Sequence, residues 1–176
     1  MPLYPLEGGQ TVPIQNPYVY GNAWLVDQLD YVNNANEEIA AVGKLDLRHQ
    51  AVADAKFKEQ LGEAVVQDTA SVVTITSYEP NKLTYDVNTG KGGVLVFSEI
   101  YYPGWTATVD GEPAELGRVN YILRAMNIKP GKHQVELAFF PKTVKRTETV
   151  AYIAYGLLLL IVLGAIGVEV KKRRRK

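Results

Sequence analysis

The last 28 residues constrain this chain more than any other segment. An uncharged stretch runs from Thr149 to Val168, and after Glu169 it is followed by a basic run at 171–176. Twenty helical residues cover roughly 30 Å, which matches the hydrocarbon core of a bilayer. The sequence therefore predicts a transmembrane helix at 148–169 and a basic tail at 170–176.

The basic tail also predicts the orientation of the span, because positively charged flanks resist translocation. The predicted cytoplasmic topology signal consists of Lys171, Lys172, Arg173, Arg174, Arg175 and Lys176. The C-terminus is then cytoplasmic, and residues 1 to about 147 lie outside. Tyr152 and Tyr155, near the outer end of the span, are predicted to anchor it at the membrane interface.

An export signal is expected for an outer domain, yet residues 1–14 carry no basic region followed by an apolar one. We therefore expect the chain to be the C-terminal piece of a longer polytopic protein, whose upstream transmembrane spans are its partners. The alternative is a tail-anchored protein with a cytoplasmic domain, which contradicts the charge rule.

Charge and cysteine content exclude several classes of site. Without the tail and Glu169, 13 basic residues face 18 acidic ones, a net charge of −5 that argues against nucleic acid as a partner. The chain has no cysteine, so thiolate chemistry is excluded. His49 and His133 show no paired metal-ligand spacing. We expect neither a metal nor a cofactor.

Two alternations of strand and helix predict a small α/β lobe at 20–64, after an extended entry segment at 1–19. Ala23–Val26 and Ala51–Ala53 fit strands. Asn34 is suited to cap one short helix, with Ile39 and Val42 on its inner face. Asp54 is suited to cap a second helix.

From residue 65 the hydrophobic period changes to two, which is typical of half-buried strands. About seven strands follow at close spacing, with a tight hairpin turn predicted at Asp110-Gly111 and another turn around Pro130-Gly131. They predict an antiparallel, jelly-roll-like β-sandwich at 65–147. The fold class is accordingly mainly β (α+β), with a small N-terminal α/β lobe and a C-terminal transmembrane helix.

The aromatic residues around Pro103-Gly104 form the candidate binding site. Tyr101, Tyr102 and Trp105 offer flat faces on which sugar rings can stack. The alternative is that Trp105 begins a strand and is buried in the core, while Pro103-Gly104 only turns the chain. This alternative is the favoured interpretation.

Charged residues offer weaker candidates. Asp110, Glu112 and Glu115 could be read as a glycosidase carboxylate pair, but a turn and solvent-facing positions explain them better. Arg118 and Arg124 could receive a phosphate or carboxylate, although paired or solvated strand residues are the favoured interpretation for both. No catalytic residue is predicted in this chain.

An ordered set of motifs resembles the C-terminal extracytoplasmic domain of the bacterial YfhO family of membrane proteins. The motifs are YGNAW at 20–24, AVAD at 51–54, VLVFSEIYYPGW at 94–105, VDG at 109–111, RVNYILRA at 118–125 and PGKHQV at 130–135. The resemblance covers nearly the whole chain, including the closing span.

That family is polytopic and is similar to C-type glycosyltransferases, which use lipid-phosphate-linked sugar donors at the outer face of the membrane. The resemblance implies a bacterial cytoplasmic membrane protein whose non-catalytic outer domain assists sugar transfer to an envelope glycan or polymer. In those glycosyltransferases the catalytic acid lies in an early loop after the first span, and this chain does not contain such a loop. A single-anchor carbohydrate-binding or adhesion module and a purely structural domain are the alternative functions.

Overall fold

The structure is a computed structural model that describes residues 3–5, 11–13, 19–67 and 70–174. The chain divides into two compact units, Met1–Phe139 and Phe140–Lys176. The first unit is built mainly of strands and the second of one long helix. The prediction of a mainly β chain with a C-terminal apolar helix is confirmed.

The strands are short and mostly antiparallel. In chain order they are β1 (Leu3–Pro5), β2 (Thr11–Pro13), β3 (Ala23–Val26), β4 (Gln28–Val32), β5 (Gln50–Asp54), β6 (Val72–Glu79), β7 (Lys82–Thr89), β8 (Gly93–Ile100), β9 (Trp105–Val109), β10 (Glu112–Ala114), β11 (Gly117–Val119), β12 (Leu123–Ile128) and β13 (Gly131–Phe139). The helices are α1 (Ala35–Val42), α2 (Lys58–Leu61) and α3 (Lys142–Arg174). β1 pairs with β2, and most of the predicted entry segment around them lies outside the described residues.

Two antiparallel sheets form the predicted sandwich. One has the strand order β10-β9-β13-β7-β6 and the other β11-β12-β8-β3. Alternate residues of β7 and β13, such as Tyr85 and Leu137, pack against Phe97 of β8 and Met126 of β12 in one core. The period-two pattern in the sequence thus marks the inner faces of this sandwich.

The second core lies on the opposite face of the four-stranded sheet. Val94 and Val96 of β8 pack there against Ala51 and Ala53 of β5 and against Leu61 of α2. Because β8 contacts a core on both faces, its apolar run is continuous and not alternating.

A β4-α1-β5 unit with parallel strands supplies the predicted α/β lobe. Asn34 caps α1 as predicted, since its Oδ1 accepts a hydrogen bond from the Glu37 backbone N–H at 3.0 Å. Asp54 caps a single 3₁₀ turn, Ala55–Phe57, which leads into α2. The strand β4 was not predicted, and β3 belongs to the sandwich sheet and not to the lobe.

The predicted inner face of α1 is wrong in one respect. Ile39 is exposed, whereas Glu38 is completely buried. A charged residue can occupy this position because Arg118 and the Tyr121 backbone N–H bind its carboxylate. No local sequence pattern signals these partners, which lie 80 and 83 residues downstream.

Two predicted strands have different bounds in the structure. The return strand expected at 114–116 lies at Glu112–Ala114, directly after the tight Asp110-Gly111 turn. The strand expected from Tyr121 begins at Leu123, because Asn120 and Tyr121 both have positive φ angles, which a strand cannot accommodate.

The helix α3 includes a stretch, Thr147–Arg174, that is long and apolar enough to cross a membrane. Tyr152 and Tyr155 are exposed on it. Lys171, Lys172, Arg173 and Arg174 form its last turn, whereas Arg175 and Lys176 lie outside the described residues.

Candidate functional site

The structure brings the three predicted aromatic residues together in the connection between β8 and β9. This aromatic segment, residues 101–105, turns at Pro103 and at Gly104, whose φ of 105° suits glycine. Tyr101, Tyr102 and Trp105 all line one cleft of about 360 Å³, called cleft A, together with Pro113 and Arg124. That these rings bind a sugar remains a prediction.

Tyr101 is held in place by the lobe side of the unit. Its backbone N–H donates a hydrogen bond to the Ile122 carbonyl at 2.7 Å. Its ring meets the Phe57 ring edge-on, with centroids 5.6 Å apart. Both contacts restrict the start of the aromatic segment.

Trp105 is half-buried at the start of β9 and packs against the sandwich core. The Arg124 guanidinium lies 4.0 Å from the centroid of its ring, a close cation–π contact. The Phe139 ring is 5.4 Å away. The indole is therefore held in place by its neighbours, and Arg124 and Phe139 already occupy part of its surface.

Tyr102 differs from its two aromatic neighbours because 62% of its surface is exposed. Its nearest ring partner is Phe139, with centroids 6.3 Å apart. Of the three predicted rings, Tyr102 is the one that offers the most surface to a ligand.

Arg124 is a buried cation whose hydrogen-bonding capacity is only partly used. It is 2% exposed, and its Nε donates to the Ile100 carbonyl at 2.9 Å. Its Nη2 is 3.5 Å from the Glu99 carboxylate. Among the described residues, none accepts a hydrogen bond from Nη1. Burial lowers the pKa of the guanidinium, with the Glu99 charge acting against that shift.

Glu99 connects Arg124 to two tyrosines. Its Oε1 accepts a hydrogen bond from the Tyr78 hydroxyl at 3.1 Å, and this bond raises the pKa of Tyr78. Tyr85 lies in the core below, where burial and then the Glu99 charge raise its pKa to about 12. Both phenols are therefore protonated near neutral pH, so each hydroxyl can donate a hydrogen bond and can also accept one.

A second cleft, called cleft B, adjoins cleft A and measures about 390 Å³. The two clefts share Tyr102, Trp105 and Arg124. Cleft B adds Glu99 and Asn81, whereas Arg124 is the one charged residue among the described residues that line cleft A. The shared residues form a ridge between two small concavities of different polarity.

The aromatic segment is stabilised indirectly by contacts of Glu38, Arg118 and Asn120. The sequence did not predict this role. Glu38 binds Arg118 Nη2 at 2.6 Å and the Tyr121 N–H at 2.9 Å. Asn120 exchanges two hydrogen bonds with the Val52 backbone of β5, at 2.7 and 3.0 Å. These contacts fix residues 120–122, which in turn bind Tyr101.

The other sequence candidates lie elsewhere. Asp110 accepts hydrogen bonds from the His133 ring at 2.7 Å and from the Gln134 N–H at 2.8 Å, which hold the pKa of Asp110 below its usual value. The same carboxylate raises the pKa of His133. Glu112 and Glu115 are exposed. Neither cleft is lined by any of these carboxylates.

The remaining histidine, His49, pairs with Asp27 at 2.6 Å on a different surface. Within the described ranges, no group of three His, Asp or Glu side chains could hold a metal ion.

One comparison with known proteins gave a match. The family model described as "Bacterial membrane protein YfhO" matches residues 37–150, which include most of α1, the sandwich strands β6 to β13 and the start of α3. Comparison with curated proteins and with solved structures gave no match.

Proposed function

We propose, from the premise that the chain belongs to the YfhO family of bacterial membrane proteins, that its β-rich unit is an extracytoplasmic, non-catalytic glycan-binding domain. In this role it holds an envelope glycan or polymer while a sugar is transferred from a lipid-linked donor. The transfer chemistry belongs to other membrane spans of the same protein.

The observation that carries the proposal is the exposed Tyr102 ring on the ridge between the two clefts. Sugar-binding surfaces combine an aromatic face with a few polar groups that fix orientation. Tyr102 supplies the face, while Glu99 and Asn81 supply acceptors and donors beside it. Tyr101 and Trp105, in the same segment as Tyr102, are held by contacts with Phe57 and with Arg124 and Phe139, so little ordering of this segment is required on binding.

The full chain in detergent micelles, tested on an array of neutral and charged bacterial envelope glycans, provides the direct test. We expect binding that Tyr102→Ala reduces at least about tenfold, as the loss of one stacking anchor predicts. Tyr20→Ala is the matched control, because Tyr20 is an exposed tyrosine outside both clefts. Absence of binding to every glycan contradicts the proposal.

The proposed orientation can be tested because the natural sequence contains no cysteine. Glu112→Cys lies in the exposed hairpin, and Arg174→Cys lies at the basic end of α3. We expect a membrane-impermeant maleimide to label the first variant in intact cells and the second only after permeabilisation. The reverse pattern contradicts an extracytoplasmic domain.

One observation favours the purely structural alternative. Trp105 contacts Arg124 and Phe139 and packs on the core, as a residue with only a packing role does. If no glycan binds, Tyr102→Ala leaves sugar transfer in cells unchanged and Trp105→Ala only lowers stability, the structural alternative replaces the proposal.

A further inference from the structure

The ridge formed by Tyr102, Trp105 and Arg124 separates two clefts that could each hold part of one ligand. The volumes, about 360 and 390 Å³, lie near the lower end of the roughly 300–1,000 Å³ found for small-molecule sites. Each cleft alone suits a small sugar unit, and the two adjoin along a common wall. A ligand that fills both must pass over Tyr102.

The linings of the two clefts differ, because among the described residues only those of cleft B include a carboxylate. The two ends of a ligand that fills both clefts therefore meet different groups. Cleft B carries the Glu99 carboxylate beside the shared Arg124, so its two charged lining groups balance each other. Glu99 already accepts a hydrogen bond from Tyr78 and can accept further hydrogen bonds from hydroxyl groups. Cleft A carries Pro113, Thr106 and the aromatic segment, with Arg124 as its charged residue.

We infer that clefts A and B are consecutive subsites for one extended oligosaccharide that crosses the Tyr102 ridge, with an uncharged, hydroxyl-rich sugar ring in cleft B. This inference rests on the proposed function and adds to it the size and the charge class of the ligand. Two linked sugar units gain affinity over a single unit because the second binds at a high effective concentration.

The length dependence of binding tests the inference. The affinity of the full chain in detergent is measured by calorimetry for chito- and malto-oligosaccharides of one to six rings. We expect the longer members of at least one series to bind about tenfold or more tighter than the single ring.

Filling each cleft separately identifies the subsites. Pro113→Tyr narrows cleft A and Asn81→Tyr narrows cleft B, and both positions are exposed. Each variant should reduce the affinity for the long oligosaccharide to that of the single ring. Glu112→Tyr is the matched control, since Glu112 is exposed, adjoins Pro113 and lines neither cleft.

The outcomes separate the inference from the proposed function. Equal affinity for all ring numbers, or loss of affinity in only one cleft variant, overturns the inference and leaves a single-subsite glycan domain. Binding on the array that is confined to charged glycans also overturns the inference alone. If no glycan of any kind binds, the inference and the proposed function both fail.

Discussion

Arg118 and Arg124 are opposite each other in the β11–β12 pair, yet their surroundings differ. Arg118 meets a completely buried carboxylate, Glu38, at 2.6 Å. Arg124 is more deeply buried but lies 3.5 Å from Glu99, and its guanidinium is 4.0 Å from the centroid of the Trp105 ring. Each of the two guanidinium groups keeps one nitrogen without an acceptor among the described residues. Of the two, only Arg124 lines clefts A and B, so Arg118 has a structural role and Arg124 is the candidate ligand-facing residue.

The comparison shows that burial alone does not identify a functional cation. Glu38 is completely buried, so removal of its partner Arg118 leaves an uncompensated charge inside the protein. Arg124 is held by a carbonyl, an aromatic ring and a partly exposed carboxylate, so its replacement by an uncharged residue should lower the free energy of unfolding less. The difference predicts which substitutions affect folding and which affect binding.

The largest effect is expected for Arg118→Met. The substitution leaves Glu38 buried without its partner, which should lower the free energy of unfolding by about 3–5 kcal/mol. Chemical denaturation of the full chain in detergent measures it. Glu59→Ala, an exposed helix position, should stay within about 0.5 kcal/mol.

A double variant sharpens this prediction. Replacing both partners, with Glu38→Leu and Arg118→Met, should recover most of the lost stability because no buried charge remains. The Tyr121 N–H loses its acceptor, so recovery is expected to be incomplete. If the double variant is less stable than Arg118→Met alone, the uncompensated charge of Glu38 is not the cause of the loss.

Trp105→Ala should have the next largest effect. The half-buried indole packs on the core and on the Arg124 guanidinium, so we expect a loss of about 2–3 kcal/mol, below the 3–5 typical of a fully buried ring. Thermal melting of the full chain provides the measurement. Trp105→Phe should recover part of the loss, and no loss in either variant contradicts the packing role.

Arg124→Met is the direct counterpart of Arg118→Met. Glu99 keeps its Tyr78 hydrogen bond and partial solvent exposure, so the expected loss of stability is only about 1 kcal/mol. Glycan binding should fall more strongly than stability, because Arg124 lines both clefts. Equal destabilisation by the Arg118 and Arg124 substitutions removes the distinction between them.

The sequence predicts the local features of this fold and not the contacts that build the site. The alternation of Leu83, Tyr85 and Val87, the Asn34 cap and the Asp110-Gly111 turn depend on neighbours within a few residues, and all three are confirmed. The burial of Glu38 and the stacking of Arg124 on Trp105 depend on partners about 80 and 19 positions away. Hydrophobic period and turn chemistry carry no information on such pairs, which is why Arg118 and Arg124 look alike in the sequence.

The partly exposed pair of Asp110 and His133 should give the smallest effect, and it extends the comparison to a pair without deep burial. Asp110 raises the pKa of His133 above 6.5, so the contribution of the pair is complete below that value and is lost as pH rises through the folded-state pKa. The pKa of Asp110 is lowered from 3.8, so the contribution is also lost in strong acid.

The difference in melting temperature between the natural chain and His133→Gln should therefore be larger at about pH 5.5 than at about pH 9. In an Asp110→Asn background, which keeps a residue that tolerates the positive φ, His133→Gln should give the same difference at both pH values. A pH-independent difference in the natural chain shows that the pair contributes no charge interaction, and that among the ion pairs compared only the buried ones matter to the fold.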